Sequence, residues 1–405
     1  MKKHPLYYLL SLLLFTNLFA QGSAHSRDKL LHSSIANIST SSQLTIAKGA
    51  NSLTKSVFGF LPYWELDSAV LRMDLLSHIA LFDFVLNEDG SLTPPYNWPD
   101  AWLSVISEAH VNNVKLILSF SNLTDDAVDS VLVSNLFKNN SVQENFYDDV
   151  KQLISSYNLD GVILDFENPK LSERGDPINN FTQELKDSLN TWFTGKELSF
   201  ATPAVNWGNM WKLKELSEIC DYLFVMAYDY YGSWSTNAGP EAPLDGLPHN
   251  YHTLIENDYA DVAPSKIILG VPYYGSEWSI ETQDPYSSVT PYGDENSNWI
   301  GNPNYKDIDW NTFKNTFVLD DLSNTTYSIT QKNDNYDLIW LDTDYSLSLK
   351  YDFALEKNLG GIGFWSLGKD GNYPELWNLI EDKFADTTTS VDEEKIPTEF
   401  SLSQN

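Results

Sequence analysis

The chain has 405 residues, with 25 Lys and Arg against 56 Asp and Glu, a formal net charge of −31. A balance this acidic weighs against nucleic acid and anionic lipid as partners. A single cysteine, Cys220, excludes a disulfide framework.

At the amino end, Lys2 and Lys3 precede a nearly unbroken apolar run from Leu6 to Phe19, followed by the small residue Ala20. This has the form of a secretory signal peptide over residues 1–20, cut between Ala20 and Gln21. The run is short for a membrane span, so an uncleaved anchor is the weaker alternative. Export to the medium or the cell surface is expected, with no membrane association after cleavage. Residues 21–52 are rich in Ser, Asn, Thr and Ala, show little periodicity, and read as a linker.

From residue 53 to 385 short apolar runs alternate with amphipathic stretches. The runs are Val57–Tyr63, His78–Leu86, Lys115–Ser121, Gly161–Phe166, Leu198–Pro203, Tyr222–Tyr228, Ile267–Tyr273 and Gly361–Trp365. Helical patterns lie between them at Trp102–His110, Val142–Tyr157, Ile178–Phe193, Tyr251–Tyr259 and Leu347–Lys357. Eight strand–helix repeats predict an α/β fold, a parallel (β/α)8 TIM barrel. Cys220 starts one of the strands and reads as a small buried hydrophobe. The seventh and eighth runs are too far apart for an ordinary connection. Residues 277–341 therefore read as a small α+β insertion, with strand-like pieces at Thr326–Thr330 and Leu338–Leu341. Residues 386–405 form a polar linker and tail.

The fourth run, Asp160-Gly161-Val162-Ile163-Leu164-Asp165-Phe166-Glu167, delivers acids at its carboxyl end. Alternate strand residues share a face, so Ile163, Asp165 and Glu167 point one way. The carboxyl end of a barrel strand is where catalytic groups sit. The plainer alternative is a core strand running into a solvated acidic turn. The 13 Trp, 22 Tyr and 20 Phe suit sugar binding, because aromatic faces stack on pyranose rings. An acidic surface over an aromatic core would have the same composition. His249 and His252 stand three apart, but no third ligand accompanies them, and no metal or cofactor is expected.

Three further segments join the acidic strand: Phe58-Gly59-Phe60-Leu61-Pro62-Tyr63-Trp64, Met226-Ala227-Tyr228-Asp229 and Gly360-Gly361-Ile362-Gly363-Phe364-Trp365. Together they resemble glycoside hydrolase family 18, the chitinase-like hydrolases, over about residues 56–384. Gly239-Pro240-Glu241-Ala242-Pro243 and Gly270-Val271-Pro272-Tyr273-Tyr274-Gly275 are similar to the bacterial branch of spore-cortex and peptidoglycan-fragment N-acetylglucosaminidases. The last ten residues resemble the start of a type IX secretion sorting tail.

The resemblance implies a retaining glycosidase for β-1,4-linked N-acetylglucosamine glycans, working as a monomer. Glu167 would be the acid that protonates the glycosidic oxygen. Asp165 would hold the acetamido NH, and Tyr228 would donate to the acetamido carbonyl. Trp365 would be the floor under the sugar, with Asp229, Ser119, Phe60 and Met226 around it. Asp160 and Gly161 would be structural parts of the motif. The family usually has an acid or amide where Ile163 stands, and Ser-x-Gly-Gly where this chain reads Ser119-Phe120-Ser121-Asn122. Independently, a two-carboxylate retaining mechanism needs acids about 5–5.5 Å apart on opposite sides of the bond. Asp165 and Glu167 share one face of one strand and cannot flank a sugar, so the nucleophile must come from elsewhere; the substrate's own acetamido oxygen fits. Two other readings stay open: a catalytically weak glycan-binding lectin on the same fold, and an endo-acting N-glycan hydrolase.

Overall fold

Eight of the apolar runs become eight parallel strands: β1 (Ser56–Pro62), β2 (His78–Leu86), β3 (Lys115–Asn122), β4 (Gly161–Phe166), β5 (Glu197–Pro203), β6 (Tyr222–Met226), β7 (Ile267–Pro272) and β8 (Gly361–Trp365). The structure is a computed structural model that describes residues 23–33, 45–47, 52–123 and 127–386. Each strand pairs in parallel with its sequence neighbours, and β8 pairs with both β7 and β1, so the sheet closes. This is the (β/α)8 barrel that the repeats imply. The signal-peptide segment and the tail resembling a sorting signal lie outside the described residues.

Both faces of β4 are buried, as a strand between a barrel interior and a helical ring requires. Phe166 meets the helix-borne rings of Phe137 and Phe181 on the outside. On the inside, Phe58, Phe60, Phe82, Phe224 and Trp365 form a connected aromatic floor. Gly363 on β8 makes room for it: a Cβ there would lie 2.3 Å from the Phe224 ring. Gly161 is required at the other end of the site strand, where a Cβ would meet the Glu197 carbonyl oxygen at 2.4 Å. Its neighbour Asp160 accepts a hydrogen bond of 3.0 Å from the Leu116 N–H, tying β4 to β3.

The long excursion after β7 is an antiparallel five-stranded sheet formed by Ser276–Ile280, Trp299–Gly301, Phe317–Leu319, Thr326–Lys332 and Asn335–Trp340, with the helix Trp310–Thr316. It has its own small core around Trp278, Leu338 and Trp340. Helices at Ala127–Lys138, Leu213–Ile219 and Glu375–Phe384 add to those expected from periodicity.

One region departs from its reading. Residues 21–52 read as a linker, yet Ala24–His32 is an α-helix and Thr45–Ala47 pairs in parallel with Val70–Arg72. Ser23 caps that helix by accepting from the Ser26 N–H at 3.1 Å. The helix escapes a search for apolar periodicity because the face it buries is polar. His25, Asp28, Lys29 and His32 are spaced i, i+3, i+4, i+7 and share one side. All four engage the carboxyl end of the barrel.

Candidate active site

The carboxyl ends of β4, β6 and β8 converge on one cleft. Asp165 is the penultimate residue of β4, and Glu167 follows its last; the Glu167 N–H donates to the Asn122 carbonyl at 3.0 Å, continuing the β3–β4 ladder. Just past β6, Asp229 adopts a left-handed φ of 58°, a conformation Asp tolerates better than most residues. Trp365 ends β8 with its ring fully buried.

The Ala24–His32 helix lies in this cleft. His25 Nδ1 is 2.7 Å from Asp165 Oδ2 and 3.5 Å from Glu167 Oε1. Its Nε2 is 2.8 Å from the Tyr228 hydroxyl. The imidazole stacks on Trp365 with ring centroids 3.8 Å apart and an interplanar angle of 26°. Phe60 stands 5.0 Å from the same imidazole. So Asp165, Glu167, Tyr228, Trp365 and Phe60 surround one ring. Met226 and Asp229 border the cleft that continues beyond them. Ser119 lies elsewhere: it is buried inside the barrel, paired with Ile163 rather than with the acids.

Among the described residues, one group of His, Asp and Glu brings potential metal-ligating atoms within 4.8 Å of each other, and it is His25, Asp165 and Glu167. Its shortest separation, 2.7 Å, is that of a direct hydrogen bond. His249 and His252 go separate ways: His249 meets the Trp207 ring, and His252 packs on Phe353.

The sequence profile described as Glycosyl hydrolases family 18 matches residues 49–370. The chain belongs to that family. It is a glycoside hydrolase. This family 18 enzyme is 25% identical to a putative sporulation-specific glycosylase, YdhD, of Bacillus subtilis over 342 residues, 81% of this chain and 76% of that one. It is 23% identical to the cortical fragment-lytic enzyme of the same organism, across 76% of this chain and 68% of the relative. It is similar in fold to a Cycas revoluta chitinase in complex with (GlcNAc)4, with TM-score 0.70 and 20% identity over 81% of this chain and 99% of that one. The Bacillus cereus spore cortex-lytic enzyme SleL superposes with TM-score 0.68 at 17% identity, over 83% of this chain and 76% of that one.

The electrostatics of the cleft separate its groups. Burial, and then the neighbouring Asp165 carboxylate, push Glu167 well above the ordinary carboxylate range, the direction a proton donor requires. Burial, with Asp165 and Asp229 nearby, raises Tyr228 far above a free phenol and keeps it a hydrogen-bond donor. Asp229 goes the other way. Burial, the largest single influence, opposes its ionisation, but the Arg27 charge together with hydrogen bonds from Arg27, Tyr274 and the Ala24 N–H outweighs it and holds Asp229 below the usual carboxylate range. Glu241, buried beside Asp229, is raised by burial and by that neighbouring charge.

Sequence reasoning did not single out several residues at the site. His25, Arg27, Asp28 and Lys29 lay in the presumed linker. Asp83 of β2 accepts from Ser121 and from Lys29. Trp207 and Trp234 line a cleft of about 410 Å³ beside Glu167 and expose 65% and 41% of their surface. The available signal was the run of tryptophans after β5 and β6, which composition alone could not place.

Ile163 is fully buried one pleat below Asp165, at the level of Ser119 on β3 and Ser199 on β5. Both hydroxyls are buried without a hydrogen-bond partner, as is Asp165 Oδ1. An amide at 163 would be smaller than isoleucine and would meet three unsatisfied polar groups, each costly to leave unpaired. Ile163→Asn is therefore expected to raise kcat several-fold by giving Asp165 a partner that steadies its orientation, or to shift the acid limb of the pH–rate profile. Unchanged or uniformly lower kinetics in a folded variant would count against this.

Proposed function

We propose that this glycoside hydrolase is exported and cleaves β-1,4 linkages on the reducing side of N-acetylglucosamine by substrate-assisted catalysis. The observation that carries the reading is the pairing of Asp165 with Tyr228 above the Trp365 ring. They sit at hydrogen-bond distance from the two nitrogens of one flat ring stacked on the indole. A 2-acetamido group offers the complementary NH and carbonyl to the same pair. Glu167 stands beside them with its affinity for a proton raised by burial and by Asp165.

In this reading Glu167 gives its proton to the glycosidic oxygen as the bond to the anomeric carbon breaks. The acetamido oxygen, aimed by Asp165 and Tyr228, bonds to that carbon from the opposite face and forms an oxazolinium ion. Glu167, now a carboxylate, takes a proton from water as water opens the ring. Two inversions at one carbon leave the β configuration. Trp207 and Trp234, exposed next to Glu167, are suited to stack on further sugars of the chain.

The relatives that act on spore cortex and those named chitinases share the acetamidosugar, so the reading spans chito-oligosaccharides and peptidoglycan fragments. The test is proton NMR at early times with chitotetraose and with muropeptides. The first sugar released should carry a β anomeric proton; an α product would rule the mechanism out. Mass analysis of the products then separates the two substrate classes.

A further inference from the structure

The Ala24–His32 helix and a sugar on Trp365 cannot occupy the cleft together. His25 covers the indole face at stacking distance and takes the inward groups of Asp165 and Tyr228. With Asp165 and Trp365 at 0% exposure, substrate has no route to either while the helix is in place. We propose that residues 23–33 are a built-in inhibitor of this enzyme, holding the cleft shut by substrate mimicry until the segment is displaced or cut away. The proposal rests on the reading that this cleft is where the glycan is cleaved.

The fit extends along the whole helix. Arg27 makes a two-pronged contact with Asp229, at 2.9 Å to Oδ1 and 3.3 Å to Oδ2, and the Ala24 N–H adds a third bond to the same carboxylate at 2.8 Å. Asp28 accepts from the Trp365 indole N–H at 2.7 Å and pairs with Lys369 at 2.8 Å. Lys29 reaches Asp83 and Ser121. His32 stacks on Trp64 with centroids 5.0 Å apart at 14°. Arg27 and Lys29 sit on Asp229 and Asp83, so cationic side chains fill an acidic cleft in a strongly acidic protein. Meanwhile Leu31 points away and is 62% exposed. A helix that buries His25 and Arg27 and exposes a leucine is arranged for this cleft, not for general packing.

The geometry also suits control. The inhibitor is tethered, since the chain rejoins the barrel at Thr45–Ala47 against Val70–Arg72. A short tether gives a local concentration on the order of millimolar, so modest intrinsic affinity closes the site. Because only the open fraction binds substrate, closure multiplies the apparent KM by the reciprocal of that fraction and leaves kcat untouched at saturation.

The experiment uses the full chain. His25→Ala combined with Arg27→Ala should lower the apparent KM for chitotetraose at least about tenfold relative to wild type, with kcat little changed. A synthetic peptide of residues 23–33 should then inhibit the double variant competitively, and the same peptide with His25→Ala should not. Hydrogen exchange in the wild-type chain should show the amides from Arg27 to Ser33 protected, and the double variant should lose that protection. Unprotected amides in the wild type, or a wild type as active as the variant, would overturn the proposal. Protected amides with both chains inert on chitotetraose and muropeptides would instead sink the reading that this cleft cleaves these glycans, while leaving the occluded cleft in place.

Discussion

Replacing Glu167 with Gln should cost roughly 10²–10⁴ in kcat, the usual worth of a positioned general acid. The substitution keeps the size of the side chain and its capacity to hydrogen-bond, but it has no proton to give the leaving oxygen. Binding should survive, since Trp365, Asp165 and Tyr228 remain, and chitotetraose titrated into Glu167→Gln by calorimetry checks that half of the expectation. Full activity in this variant would falsify the assignment and place the proton donor on another residue.

The same residue leaves a signature in stability. Glu167 is raised above its ordinary value of 4.5 by burial and by Asp165, so the folded state binds its proton more tightly than the unfolded chain does. The stabilisation linked to that proton is complete below the unfolded value and is lost as pH rises through the folded one. Glu167→Gln removes this loss. The difference in melting temperature between variant and wild type should therefore grow in favour of the variant as pH climbs out of the acidic range. Glu241, raised in the same sense, remains in both proteins and cancels from the comparison. In activity, the basic limb of kcat/KM should lie above the pH at which an ordinary carboxylate titrates, because Glu167 must still carry its proton.

A fully deacetylated chito-oligosaccharide should be inert, with a loss of about 10³ or more against the acetylated substrate. The argument comes from β4 itself. Asp165 and Glu167 are two residues apart on one strand and one face, both meeting the same edge of the His25 ring. Neither can reach the far side of an anomeric carbon that the other protonates from the near side. The nucleophile has to come with the substrate, and well-placed internal nucleophiles reach effective molarities of about 10⁵–10⁸ M. A free amine in place of the acetamido group removes it. Product analysis by mass spectrometry on glucosamine tetramers is the measurement, and turnover comparable to chitotetraose would show that the protein supplies the nucleophile after all. Asp165→Ala should lose rate for the related reason that the acetamido oxygen is no longer aimed.

By itself the sequence determined the barrel, and it singled out Asp165 and Glu167 as the candidate acids at the end of its fourth strand. Short, nearly continuous apolar runs, spaced by amphipathic stretches, admit few arrangements other than strands sheathed by helices, and each of the eight runs lies on a barrel strand. Asp165 and Glu167 were legible because a strand's alternation and its carboxyl end are both local properties. The positions of Tyr228, Trp365 and Phe60 about one point came from motifs in the right order, since neither period nor composition reports a distance between strands. Tertiary structure alone decided the rest. The depth of Ile163 between two unsatisfied serines depends on register across three strands. The tryptophans beside Glu167 depend on how loops close over the barrel mouth. The N-terminal helix is the sharpest case: its sequence is polar and reads as linker, because helix detection looks for an apolar face destined for a core. Its contacts are with carboxylates and an indole contributed by β2, β4 and β8 and by the turns after β4 and β6. Only the folded cleft gives His25, Asp28, Lys29 and His32 their partners.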